Sequence, residues 1–166
     1  MEEAISVLSQ GGCAVYPTST QPALGCIPES SALDLLYSLK GRGRDQPVSL
    51  GVSSVEQARE IAYVPKGVED LLDFFPKGSI TVVLDSKSSL DSRLGGDRVA
   101  LRVVSHEVAV SLIERVGPLT ATSANLSGSA PYLDTSKAAR SLSTSNISVP
   151  YVSGICGGGI PSTLIS

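Results

Sequence analysis

Residues Arg98–Gly128 read RVALRVVSHEVAVSLIERVGPLTATSANLSG. The opening run, Arg98–Val104, is rich in valine and predicts a strand. His106–Gly117 predicts a helix that Gly117 stops. Pro118–Thr122 predicts a second strand, which runs into the polar stretch Ser123–Pro131. A strand, a helix and a strand in close succession form the unit from which sheets with crossover helices are built.

The same alternation extends outward in both directions. Glu2–Gln10 predicts a first helix ended by Gly11-Gly12, and Cys13–Tyr16 a short buried strand. Ser30–Gly41 places Leu33, Leu36 and Leu39 on one helical face, with Ser30 or Ser31 as the N-cap and Gly41 as the stop. Pro47–Val52 predicts a strand. Ser53–Ala62 opens with a capping-box pattern, Ser53 then Glu56. Gly67–Phe75 predicts a helix closed by Pro76. Ser79–Asp85 predicts a strand joined to Arg98–Val104 by a polar loop. Asp134–Ser143 predicts a late helix and Ile147–Gly154 a final strand. The expected fold is α/β: a single-domain twisted mixed sheet with flanking helices, over residues 1–166.

Composition bounds the function. Of 166 residues, 42% are hydrophobic and 17% charged, which excludes disorder. With 4% aromatic residues and no Trp, the core must come from Val, Leu, Ile and Ala. A formal net charge of −3 gives no overall attraction to nucleic acid, although a local basic cleft stays open. Three scattered cysteines and one histidine argue against a disulfide framework, a structural zinc site and a histidine triad, so no metal ligands are assigned. The N-terminus carries acids where a signal peptide needs positive charge, and no membrane span is visible; a cytoplasmic location is expected.

Four polar clusters fall at predicted strand ends or loops, where open α/β sheets bind ligands. Pro17–Thr20 (PTST) offers three hydroxyls that either make a turn or hold a carboxylate or amine. Lys40–Pro47 (KGRGRDQP) sets Lys40, Arg42 and Arg44 among glycines, which suits a helix C-terminus or a phosphate. It is not a Walker A loop. Thr120–Gly128 (TATSANLSG) is a neutral hydrogen-bonding loop without a nucleophile elbow around Ser123. Gly157–Ser166 (GGGIPSTLIS) is a flexible end or a lid.

Together and in this order, these clusters resemble the YrdC-like family of L-threonylcarbamoyl-AMP synthases. PTSTQPALG, KGRGRDQPVSL, PKGSIT, LRVVSH, TATSANLSG and GIPST stand where the family has PT-[DE]-T-x-YGL, KxRxxxKP, PGPxT, VRxxxH, TSAN-x-SG and PST. The resemblance covers nearly the whole chain, and the Lys40-x-Arg42 with Ser123-x-Asn125 pairing is its most specific part.

The resemblance implies a twisted sheet around a wide, basic cavity. It implies an enzyme that makes threonylcarbamoyl-AMP and pyrophosphate from L-threonine, bicarbonate and ATP, with Mg²⁺ arriving on ATP. The product serves adenosine 37 of tRNA through a separate transferase complex, with tRNA contact possible. By carry-over, Lys40 and Arg42 are the phosphate-side, catalytic pair, and Ser123 and Asn125 orient the nucleotide. Thr20, Arg102 and Ser162 contact L-threonine. The chain departs from the family at Ser19, at Pro22-Ala23 in place of YG, at Gln46 in place of a second lysine, and at Lys77-Gly78-Ser79 in place of PGP. It also stops three residues after Thr163, without the family's downstream arginine. These changes leave open a relative that binds nucleotide or structured RNA without catalysis.

Overall fold

The computed structural model describes residues 1–166. In chain order the elements are α1 (Glu2–Ser9), β1 (Ala14–Tyr16), β2 (Ala23–Gly25), α2 (Ser30–Lys40), β3 (Leu50–Val52), α3 (Val55–Ile61), α4 (Lys66–Phe74) and β4 (Ile80–Asp85). A 3₁₀ turn at Ser92–Leu94 leads to β5 (Arg98–Val103), α5 (Glu107–Val116), β6 (Leu119–Thr120), β7 (Thr122–Ser123), α6 (Thr135–Leu142) and β8 (Thr163–Ile165). This is the expected mixed α/β architecture, with its strands in two ladders. One is antiparallel, in the order β1-β2-β7. The other is mixed, in the order β6-β3-β5-β4-β8.

The two ladders meet where the expected strand Pro118–Thr122 divides. Thr120 pairs with Leu50 of β3, and two residues later Thr122 pairs with Leu24 of β2. Ala121 is the point of transfer. The buried Thr120 hydroxyl secures it, donating to Leu24 O (3.1 Å) and accepting from Cys26 N (3.0 Å).

In the larger sheet, side chains alternate between two environments, as the pleat requires. Ile80, Val82 and Leu84 of β4 and Val99 and Leu101 of β5 point into one apolar cluster beneath α2, α3 and α6. Thr81, Val83, Arg98, Ala100 and Arg102 face the other way. Part of that second face is covered by a cluster including Tyr16, Val104, Ile113 and Leu119. Gly51 permits the approach: a Cβ there would lie 3.2 Å from Val104 and 3.4 Å from Ile113 and the Tyr16 hydroxyl. The remainder of the face is open.

Helix ends follow sequence chemistry with two shifts. Gly41 adopts the left-handed conformation (φ 60°), and Arg42 N–H reaches back to Tyr37 O (3.1 Å), closing α2. The N-cap of α2 is Glu29 without a side-chain bond, so Ser30 is the first helical residue rather than the cap. The box at α3 lies one residue later than expected: Ser54 accepts from Gln57 N (3.1 Å), and Gln57 Oε1 accepts from Ser53 N (2.8 Å). Gln serves at that position as Glu would. His106 caps α5 by accepting from Val108 N (3.3 Å).

Two expectations are corrected. Ile147–Gly154 does not form a strand; it runs beside β1 with one bridge, Val15 to Tyr151. Pro150, which has no N–H, interrupts any ladder there. The terminal GGGIPSTLIS is not a free tail: β8 pairs in parallel with β4, Thr81 opposite Leu164. No helix is long and apolar enough to cross a membrane.

One buried cation ties the open face to the helices. Arg93, 4% exposed, bonds Asp91 through Nε and Nη2 (3.0 and 2.9 Å), Asp34 through Nη1 (2.6 Å), and both the Ser30 carbonyl and hydroxyl. Its carbonyl accepts from Val48 N (2.8 Å) and Tyr37 Oη (3.2 Å). The guanidinium holds the Asp91 carboxyl well below the usual carboxylate range. A carboxyl depressed in the folded state adds stability that is complete above its unfolded pKa of about 4 and is lost as pH falls toward the folded value. We predict that Arg93→Ala lowers unfolding free energy by about 3 kcal/mol at neutral pH. The loss should be smaller at about pH 3, where the wild type has itself lost part of this contribution. Urea unfolding at both pH values measures this, and equal stability of variant and wild type would exclude Arg93 as the tie.

Candidate active site

The open part of the sheet forms a cavity of about 560 Å³, within the range of small-ligand sites. Arg42, Ser49, Thr81, Arg98, Thr122 and Ser162 supply its polar lining, and Pro47, Val48, Val83, Leu94, Ala100 and Leu164 are among its apolar walls. A side chamber of about 150 Å³ adjoins it, sharing Ala121, Thr122 and Ser162. Thr20, Arg102 and Ser123 line the chamber, with Pro22 and Ala23 at the wall where YG was expected.

The PTST stretch makes the turn and furnishes the site at once. Thr18 is buried; its hydroxyl donates to Gln21 O (2.6 Å) and accepts from the amides of Thr20 and Gln21 (both 3.2 Å). That is a hydroxyl-mediated turn. It leaves Ser19 and Thr20 facing Arg102, whose Nη2 donates to both hydroxyls (3.1 and 3.2 Å). Arg102 Nε donates to Gly78 O (2.8 Å). Gly78 is left-handed (φ 79°), and a Cβ there would lie within 3 Å of the Ser105 and Ser19 hydroxyls. Arg102 is 6% exposed, and burial pulls its pKa down, yet a guanidinium stays charged.

Lys40 and Arg42 sit on opposite sides of the Gly41 turn. Arg42 lines the large cavity, its Nε and Nη2 anchored on the carbonyls of Gln46 and Pro47 (both 2.8 Å). Lys40 lines neither cavity; it is 2% exposed, behind the Thr122–Asn125 segment. Its ammonium donates to Ser123 O (2.5 Å) and Asn125 O (2.9 Å), and its carbonyl accepts from Ser127 N (2.9 Å). Burial, and to a lesser degree the charge of Arg42, push the Lys40 pKa down to about 8.

Asn125 is likewise set back from the cavities. Its amide nitrogen donates to Leu126 O (3.0 Å) and Ser129 O (2.6 Å). Its Oδ1 is the one buried side-chain nitrogen or oxygen without a partner, a state that costs about 1–3 kcal/mol. Ser162 lines both cavities, and its hydroxyl shares a 2.7 Å hydrogen bond with Thr81. The structure therefore brings Thr20, Arg102, Ser123 and Ser162 to the chamber and Arg42 to the cavity. It keeps Lys40 behind the Thr122–Asn125 segment and Asn125 out of both linings.

Three of the four cations at or beside the cavities share one feature, the exception being Arg98, which stands 3.6 Å from Asp85. Lys40, Arg42 and Arg102 are held by carbonyl and hydroxyl oxygens, without a carboxylate. Arg44, Arg59, Arg93 and Arg115, away from the site, all pair with Asp or Glu. Neutral acceptors fix a cation without cancelling its charge, which is what an anionic ligand requires. Sequence reading missed Arg98, Ser49 and Thr81, and it placed Thr122 in the TATSANLSG cluster without assigning it a role. Arg98 was accessible from the period-two pattern, since it lies four residues before Arg102 on the same strand face. The others depend on which strands become neighbours.

Comparison with known proteins identifies the family. Residues 6–166 match the Sua5_yciO_yrdC family, described as "Telomere recombination". A Mycobacterium tuberculosis protein provisionally named threonylcarbamoyl-AMP synthase is 37% identical over 139 residues, covering 81% of this chain and 64% of that protein. The chain thus spans somewhat less than two thirds of that relative. A threonylcarbamoyl-AMP synthase from Xanthomonas oryzae is 34% identical over 79% of this chain and 74% of its own length. The crystal structure of P. abyssi Sua5 complexed with L-threonine superposes with a TM-score of 0.87 at 29% identity, covering 98% of this chain and 49% of that one. By its sequence match and by its fold, this chain belongs to the Sua5/YciO/YrdC family.

Proposed function

We propose that residues 1–166 act as one domain with threonylcarbamoyl-AMP synthase activity, joining L-threonine, bicarbonate and ATP with release of pyrophosphate. The observation that carries this reading is the set of uncancelled cations at two adjoining cavities, one nucleotide-sized and one small. Support for the amino acid comes from the relative that was crystallised with L-threonine. In this reading Arg102 pairs with the threonine carboxylate, while Thr20 and Ser162 meet its amine and hydroxyl. The threonine amine and bicarbonate give a carbamate with loss of water, and a carbamate oxygen then attacks the α-phosphorus of ATP as pyrophosphate leaves. Both reactants are anionic, so the barrier lies in bringing them together. Arg42 offsets charge on the phosphates. Lys40 fixes the Ser123–Asn125 loop and places a positive charge beneath it.

No covalent intermediate is needed. Ser123 has no activating base: the lone His106 serves as the α5 cap, and it lines neither cavity. The cavity wall carries no carboxylate, so Mg²⁺ would be held by the triphosphate and water, with only hydroxyls such as Ser49 and Thr81 within the wall. We further propose a cytoplasmic setting, which suits three free buried cysteines. The product would pass to a tRNA-modifying transferase complex. A net charge of −3 limits any tRNA contact to a local patch.

Pyrophosphate release measured with threonine, bicarbonate and ATP, omitting each in turn, tests the function. Turnover should require all three. Serine should be weaker than threonine by about 1–3 kcal/mol, and valine weaker still, because the site reads the hydroxyl. Valine acting as well as threonine would exclude this pocket chemistry. Binding of ATP without turnover under any of these conditions would favour a non-catalytic nucleotide binder.

Calorimetry addresses the phosphate side. Arg42→Ala should weaken ATP binding roughly tenfold or more with the fold intact. Affinity should also fall as pH rises through about 8, where Lys40 loses its proton. Lys40→Gln should flatten that pH dependence. A wild-type affinity that is constant across this range would remove Lys40's charge from the account.

A further inference from the structure

We propose that Arg98 is a second phosphate-binding guanidinium of the large cavity, acting opposite Arg42 on a polyphosphate chain. The inference rests on the reading of that cavity as a triphosphate site. Of the motif KGRGRDQP, only Arg42 and Pro47 reach the cavity; Lys40 lies behind the loop, and Gln46 does not line the wall. Arg98 does line it, projecting from β5 on the same face as Arg102.

Three observations set Arg98 apart from a surface arginine. Its only carboxylate partner, Asp85, stands 3.6 Å from Nε, beyond hydrogen-bond distance. Both side chains are more than half exposed, so the pair adds little and yields readily to a more highly charged anion. The backbone, by contrast, is fixed. Gly95 (φ 112°) lies so close that a Cβ there would come within 1.9 Å of Arg98 O, and Arg98 N–H donates back to Gly95 O (3.4 Å). The turn that carries Gly95 is itself held by the Arg93 network. A mobile guanidinium on a fixed strand, facing a cavity that holds a second guanidinium, is suited to clamp a chain of phosphates.

The test is calorimetric titration of wild type, Arg98→Gln and Arg98→Lys with ATP, AMP and inorganic tripolyphosphate. Arg98→Gln should weaken ATP and tripolyphosphate roughly tenfold and leave AMP nearly unchanged. Arg98→Lys should fall between them, because it keeps the charge and loses the fork. Unchanged ATP and tripolyphosphate affinity in Arg98→Gln overturns the proposal. Equal losses for ATP and AMP overturn it too, by assigning Arg98 a purely structural role. If wild type binds tripolyphosphate but not ATP, and Arg98→Gln loses that binding, the Arg98 site stands and the ATP-dependent function falls. If wild type binds neither, both are wrong.

Discussion

Positive charge held in place without being neutralised is the constraint on which this site depends. A carboxylate is the strongest anchor for a guanidinium, but it removes the charge that a ligand would read. Here carbonyl oxygens take that part: Gln46 and Pro47 for Arg42, Gly78 for Arg102, Ser123 and Asn125 for Lys40. Most of these carbonyls lie outside helices and ladders, Ser123 at the end of β7 being the exception. The irregular segments around Gly41, Gly78 and Ala121 are therefore part of the apparatus. Arg93 shows the opposite arrangement, with two carboxylates closing on it. It contributes architecture, holding the turn from which the cavity wall rises.

The division between ladders has the same logic. A continuous strand through Leu119–Ser123 would pair every backbone group within one sheet. Transfer at Ala121 places Thr122 in both cavity linings and opens a chamber between the ladders. The buried Thr120 hydroxyl satisfies groups that the transfer would otherwise orphan.

Much of this was legible in the sequence, for local reasons. Gly41 and Gly117 ended helices where expected because their stop is a property of one residue's backbone. β4 and β5 are long enough for their alternation to show. β2, β7 and β8 span two or three residues each, too few for any period, and exist only because partners lie alongside. Ile147–Gly154 has strand-like residues but a proline where the ladder needs a donor. Motif order pointed to both Lys40 and Arg42, yet only Arg42 lines a cavity, and adjacency in sequence concealed their separation by the Gly41 turn. Pro17–Thr20 was read as turn or ligand site; Thr18 makes the turn, while Ser19 and Thr20 meet Arg102.

Ser162, the residue before β8, lines both chambers, and Leu164 of β8 lines the larger one, yet β8 is a three-residue edge strand attached to β4 alone. Thr163 and Leu164 are exposed, and Ile165 is the β8 residue that packs against the core. A segment of this kind has among the lowest local opening free energies in a sheet. Release of the β8 ladder and of the Thr81–Ser162 hydrogen bond would uncover the site while β3, β4 and β5 stay paired. Access to a deep cavity can then be governed by a small, reversible unzipping, on a timescale separate from global unfolding, and any ligand that bridges β4 and β8 would slow amide exchange at Thr163 and Leu164.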